Sequence, residues 1–176
     1  MGMNRVLTPL AAAALFFTVS PATADTKSDI QKVYNKLCAA MKKGDMKTLM
    51  ASGTSDFKMK EMGVTKNAEE VRKEMQGMFA GGFKVNKCVM TVKSVALKGK
   101  TATVRTVSHM DALMPGGPNG KKMHMVSSGE SRDILVKTPQ GWKFKLAESL
   151  DDKAKVTMDG KPFDPKMMMA PPAKKK

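Results

Sequence analysis

The chain has 176 residues, with 31 Lys and Arg against 16 Asp and Glu and a formal net charge of +15. This length suits one domain, which buries roughly 70% of its extended surface, so a core can form without disulfide scaffolding. The Lys residues are spread along the chain with no interleaved aromatics, which argues against a nucleic-acid partner and leaves an anionic surface as a candidate one.

Residues 1–24 read as a cleavable signal peptide. Arg5 supplies the positive start, Val6 to Val19 is mainly apolar, and Ala22-Thr23-Ala24 offers the small residues that signal peptidase accepts. The apolar run falls short of the about 20 residues that span a bilayer. The expected mature protein begins near Ala24-Asp25, is soluble, and is periplasmic or extracellular. Without Arg5 the formal net charge falls from +15 to +14. Export would place Cys38 and Cys88 in an oxidising compartment. Two readings of this pair stand at this stage: one disulfide, or two separately buried thiols.

Residues 25–81 read as helices. Ile30, Val33, Tyr34, Leu37, Cys38 and Met41 form one apolar stripe at helical spacing, with Ser28 as the expected N-cap and Gly44 as the stop. Asp45 caps a second, short helix carrying Leu49 and Met50, which Gly53-Thr54-Ser55 ends. An extended piece, Asp56 to Met62, follows. Asn67 caps a third helix with Val71, Met75, Met78 and Phe79 on its inner face, broken at Gly81-Gly82.

From residue 84 the period changes to two. Cys88, Met90 and Val92 alternate, Lys98-Gly99-Lys100 turns, and Ala102, Val104 and Thr106 alternate next. Pro115 to Gly120 is a loop, His124 to Val136 a long strand, and Pro139-Gln140-Gly141 a hairpin turn before Trp142, Phe144 and Leu146. Helices first and an antiparallel meander afterwards imply an α+β domain with the helices on one sheet face. Residues 151–164 either add a short strand or pack along an edge. The domain is expected over 25–155, with 156–176 a mostly disordered C-terminal extension ending in Met167 to Lys176.

The order of these features resembles a known family. Ile30-x-x-x-Tyr34 leads to Cys38-Ala-Ala, then Lys43-Gly44-Asp45-x-x-x-Leu49, then Ser55-Asp56-Phe57. The meander ends in Asp133-Ile-Leu-Val136-Lys-Thr-Pro-Gln-Gly141-Trp142-Lys-Phe144. This is similar to the SnoaL-like branch of the nuclear-transport-factor-2-like superfamily, over about residues 28–150. The resemblance implies a cone: a strongly curved antiparallel sheet wrapped around the long first helix, with a cavity at the open end. It also implies a small-molecule isomerase, cyclase or dehydratase, or a binding domain with no chemistry.

No catalytic set of such a family is matched. His109, Glu130 and Arg132 are the candidates for acid–base work, against the plainer reading of a solvated outer face or a cross-strand ion pair. Tyr34, Phe57, Arg105 and Trp142 are the expected pocket residues. The first expectation is non-catalytic binding of a small apolar molecule or a protein partner in the cone, and the second an isomerase or dehydratase. A homodimer through the outer sheet face is a further expectation. No cofactor is expected, with one alternative. The 18 Met and the two His meet at His109-Met110 and Met123-His124-Met125, a ligand type that suits periplasmic Cu(I). Met also fills irregular cores, so this pattern has an ordinary explanation too.

Overall fold

The computed structural model describes residues 20–116 and 121–164. Residues 1–19 of the expected signal peptide and the Met167–Lys176 tail lie outside the described residues.

Helix α1 (Ala24–Lys43) begins four residues before the expected Ser28 cap. Thr23 is the N-cap instead, its hydroxyl accepting from the Thr26 N–H, with Asp25 in the first turn where the helix dipole favours an anion. Gly44 ends the helix at φ 64°, its N–H returning to the carbonyls of Ala40 and Met41. Helix α2 (Met46–Ala51) is capped by Asp45, which accepts from the Thr48 N–H at 3.0 Å. Helix α3 (Ala68–Ala80) starts on a reciprocal capping box. Asn67 Oδ1 accepts from the N–H groups of Glu69 and Glu70, and Glu70 accepts from the Asn67 N–H at 2.7 Å. Among the described residues no helix is long and apolar enough to cross a membrane.

The strands are β1 (Ser20–Pro21), β2 (Gly53–Glu61), β3 (Val64–Asn67), β4 (Lys84–Lys98), β5 (Thr101–Met114), β6 (Met123–Thr138), β7 (Gly141–Met158) and β8 (Lys161–Phe163). They form one curved sheet in the order β1-β4-β5-β6-β7-β2-β3, with β8 paired to β7. The expected α+β architecture is present, with one difference at the edge. β2 pairs with β7 in parallel, so the sheet is mixed there rather than wholly antiparallel. That pairing starts at Gly53↔Phe144, where the Phe144 N–H donates to the Ser52 carbonyl. Strand β2 therefore begins at Gly53, three residues before the expected Asp56, because a long-range ladder overrides the Gly-Thr-Ser turn signal. Beyond Leu150, β7 continues to Met158 and β8 folds back on it.

Register shifts between Val85 and Lys87 and between Val92 and Ser94 bend β4 around α1. On the edge of β4 that faces away from β5, Gln31 of α1 takes the place of a neighbouring strand. Its amide donates to the Met90 carbonyl at 2.7 Å and accepts from the Val92 N–H at 2.8 Å. The disulfide reading of the two cysteines is the one realised: Cys38 on α1 is bonded to Cys88 on β4, with Cα atoms 5.3 Å apart. Two apolar clusters fill the space between helices and sheet. The first centres on Ile30, Tyr34, Val104 and Leu135, the second on Phe83, Ala112, Met114 and Met125.

Candidate functional site: a cone cavity with a buried carboxyl

A cavity of about 330 Å³ lies between the three helices and the inner face of the sheet. Its walls are mainly apolar. Leu37 and Met41 come from α1, Leu49 from α2, Val71 and Met75 from α3, and Phe57 and Met59 from β2. Each sits there because its element shows an apolar stripe or alternation toward the core.

The polar part of the wall is a row across three strands. Thr106, Ser131 and Ser149 stand opposite one another on β5, β6 and β7. Two residues along β6, on the same face, is Asp133, 3% exposed. Its Oδ2 accepts from the Tyr34 hydroxyl at 2.6 Å and from Ser131 Oγ at 2.9 Å. Its Oδ1 accepts from the Glu148 N–H at 3.3 Å. Thr106 Oγ1 lies 2.6 Å from Ser131 Oγ, which extends the network by one hydroxyl. Tyr34 is fixed in turn by a T-shaped contact with the Phe144 ring, centroids 5.1 Å apart.

Burial raises the Asp133 carboxyl above its ordinary range, because desolvation outweighs the stabilising bonds from Tyr34, Ser131 and the Glu148 N–H. Burial also raises the Tyr34 hydroxyl, and the neighbouring Asp133 charge adds to that. The pair thus has two groups that prefer to keep protons, 2.6 Å apart, at the wall of an apolar cavity. Such a pair can present either a donor or an acceptor to a polar group of a bound molecule, and it can hold or pass one proton.

A second ionic cluster adjoins this network, and two of its residues, Lys60 and Glu148, also line the cavity. Glu148 accepts from Lys60 Nζ at 2.8 Å and from Arg132 Nε at 2.8 Å. The Lys60 and Arg132 bonds hold the Glu148 carboxyl below its ordinary range. Both cations are half exposed, so this is the cross-strand ion pairing that the plainer reading of Arg132 described.

The expected site residues divide as follows. Tyr34, Phe57 and Glu130 line the cavity, and Arg105, His109, Arg132 and Trp142 do not. Trp142 packs against the first cluster with Lys137 Nζ over its ring. Arg105 is exposed and stands opposite Arg132. His109 stands opposite Ser128, and His124 Nε2 lies 3.1 Å from Asp111 Oδ1. Met110, Met123 and Met125 all join the second apolar cluster. Strand alternation puts them on the opposite sheet face from His109 and His124, so the imidazoles and thioethers of the expected copper hairpin are not brought together.

The reading of the sequence missed Asp133, Ser131 and Ser149 as site residues. The signal available was parity with Leu135, which is fully buried. Parity on β6 is ambiguous because Val126, Ile134 and Val136 make its other face apolar too.

A family model described as a SnoaL-like domain matches residues 22–148. The chain belongs to the SnoaL-like family. No curated protein matches it in sequence. Among solved structures it is similar to a conserved protein from Planctomyces limnophilus (TM-score 0.64, 17% identity), covering 77% of this chain and 99% of that one. It is also similar to a ketosteroid isomerase-like protein from Erwinia carotovora atroseptica (TM-score 0.55, 14% identity, 73% of this chain and 98% of that one). A third is a candidate dehydratase of the NTF2-like family from Streptomyces avermitilis (TM-score 0.52, 17% identity, 72% and 97%). At these identities the likeness is one of fold, the nuclear-transport-factor-2-like cone.

Proposed function

We propose that this SnoaL-like domain is an exported binding protein that holds one small, mostly apolar molecule in its cone. One polar group of that molecule would meet the Tyr34–Asp133–Ser131 network. The observation that carries this reading is the cavity itself: about 330 Å³, apolar on most sides, with the hydrogen-bonded Asp133 network in its wall. That volume lies at the lower end of the roughly 300–1,000 Å³ range of small-molecule pockets. The test is to purify the protein from its native host and examine it by native mass spectrometry. A bound small molecule is expected. Ala147, a small lining residue on β7, offers the control: Ala147→Phe fills the cavity and should abolish retention. An empty wild-type protein that also ignores added apolar probes rejects the reading.

A second reading has its own support. Asp133 keeps a raised pKa beside Tyr34 in an apolar site, which is the environment of an acid–base catalyst of the isomerase or dehydratase type. The molecule retained by the protein can be incubated with it in D₂O. Deuterium entering a C–H position with wild type, and not with Asp133→Asn, supports catalysis. Absence of exchange leaves binding alone.

Export rests on the Arg5, Val6–Val19 and Ala22–Ala24 pattern, and the Cys38–Cys88 bridge is compatible with it. Cleavage after Ala24 would remove the Thr23 cap and β1, at a cost of about 1 kcal/mol for the cap. N-terminal sequencing of the secreted protein tests this: a start at Asp25 is expected, and an intact Met1 rejects export by cleavage.

A further inference from the structure

The second apolar cluster has an unusual composition. Seven of its thirteen side chains are methionine, against three of nineteen in the first. The strand registers place five of them around one small residue, Ala112, which is fully buried. Met110 and Met114 flank Ala112 along β5. Met125 stands directly opposite Ala112 on β6, Met123 opposite Met114, and Met158 opposite Met125 on β7. All five face the same side, since residues two apart on a strand and opposite each other across a ladder share a face.

Directly opposed Cβ atoms in such a ladder are about 4.5–5.5 Å apart. Methionine has three rotatable bonds, so sulfur atoms on adjacent positions can turn toward a common point. Ala112 places only a methyl group at the centre, which leaves the space above it to its neighbours. Met114 and Met125 are nearly buried, while Met110, Met123 and Met158 are half-buried, so the cluster reaches the surface on one side.

Soft thioether ligands select soft monovalent cations. We propose that Met114, Met123, Met125 and Met158 form a thioether-only site for Cu(I) or its analogue Ag(I). The site differs from the His/Met hairpin expected from the sequence. His124 is engaged with Asp111 on the opposite sheet face, so imidazole takes no part. It is also separate from the cavity carboxyl, and its success or failure leaves the binding reading untouched. The bonded state of Cys38 and Cys88 removes thiolate from the set of available ligands.

The test uses the oxidised protein, with the absence of free thiol verified by thiol titration. Ag(I), and Cu(I) kept reduced by ascorbate, are titrated in competition with a chromophoric chelator. One ion per chain is expected. The double variant Met123→Leu/Met125→Leu conserves side-chain volume, the kind of exchange that cores tolerate best. It should weaken binding by more than about tenfold, because it removes two of four soft ligands. The variant His109→Ala/His124→Ala should bind as wild type does. Should the double Leu variant fail to fold, Met158→Leu serves in its place with the same expected direction. No uptake by wild type, undiminished affinity in the Leu variants, or loss of binding in the His variant each overturns the proposal. The first of these outcomes would make the cluster an adaptable core and nothing more.

Discussion

The two apolar clusters are built from different materials and do different work. The first is aromatic and branched: Ile30, Val104, Leu135, Tyr34 and Phe144 each have few rotamers and are almost wholly buried. The second is largely unbranched thioether, over Phe79 and Phe83. The stiff cluster surrounds the Tyr34–Asp133 bond, whose 2.6 Å geometry needs both partners held in place. Among the described residues the pliant cluster encloses no buried carboxyl. The side chains with few rotamers thus gather around the buried carboxyl and its donors.

The largest expected effect concerns the bridge between α1 and β4. Cys38→Ser/Cys88→Ser releases a constraint over a separation of 50 residues. The loop-entropy model gives a loss of about 4 kcal/mol for such a span. Guanidinium denaturation checks it; a loss below 1 kcal/mol would mean that the unfolded chain is already compact there. Next, Leu135→Ala in the stiff cluster should cost about 3 kcal/mol through lost burial and a cavity that cannot collapse.

Tyr34→Phe follows. It removes the strongest donor to Asp133 and should cost about 2 kcal/mol. The variant should also raise the Asp133 pKa further, since that bond favours the charged form. Carbon-detected NMR titration of the carboxyl reads this directly, and an unchanged midpoint would mean that the bond has little energetic weight.

Volume-conserving exchanges sharpen the contrast between clusters. Ile30→Met should cost more than Met125→Leu, with the second under about 1.5 kcal/mol. Equal costs would erase the distinction between a stiff and a pliant core.

The smallest effect is a pH trend with two signs. Glu148 is held below its ordinary pKa of 4.5 by Lys60 and Arg132. Its contribution is therefore present above that value and fades as pH falls through the lower folded one. Asp133 is raised above 3.8, so its contribution is present below that value and fades as pH rises through the folded one. Denaturation of wild type and Glu148→Gln across the acidic range should show the first trend lost in the variant and the second kept.

Much of the framework is legible in local chemistry. Gly44, Asp45 and Asn67 mark helix ends because capping is a matter of a few neighbouring residues. The turn before Trp142 is legible for the same reason: Thr138 Oγ1 donates to the Gly141 carbonyl and accepts from the Gln140 N–H. The site is much less legible. Tyr34 and Asp133 are 99 residues apart and meet only through the fold. Strand β6 carries apolar residues on both faces, so alternation alone does not say whether Arg132 or Asp133 points inward. The same ambiguity hid the split between the methionines and histidines of the 109–125 segment. Where the structure departs from local signals, at Thr23 and at Gly53, a longer-range partner explains it: β1 and Ala22 on β4, and the parallel ladder to β7.

The most direct test of the cavity reading is native mass spectrometry on the protein from its native host, alongside Ala147→Phe. Wild type should carry a small molecule, released on denaturation, that the filled variant lacks while keeping its fold. Equal occupancy in both proteins would place the ligand elsewhere. A wild-type cavity that retains nothing and takes up no apolar probe would contradict the proposal outright.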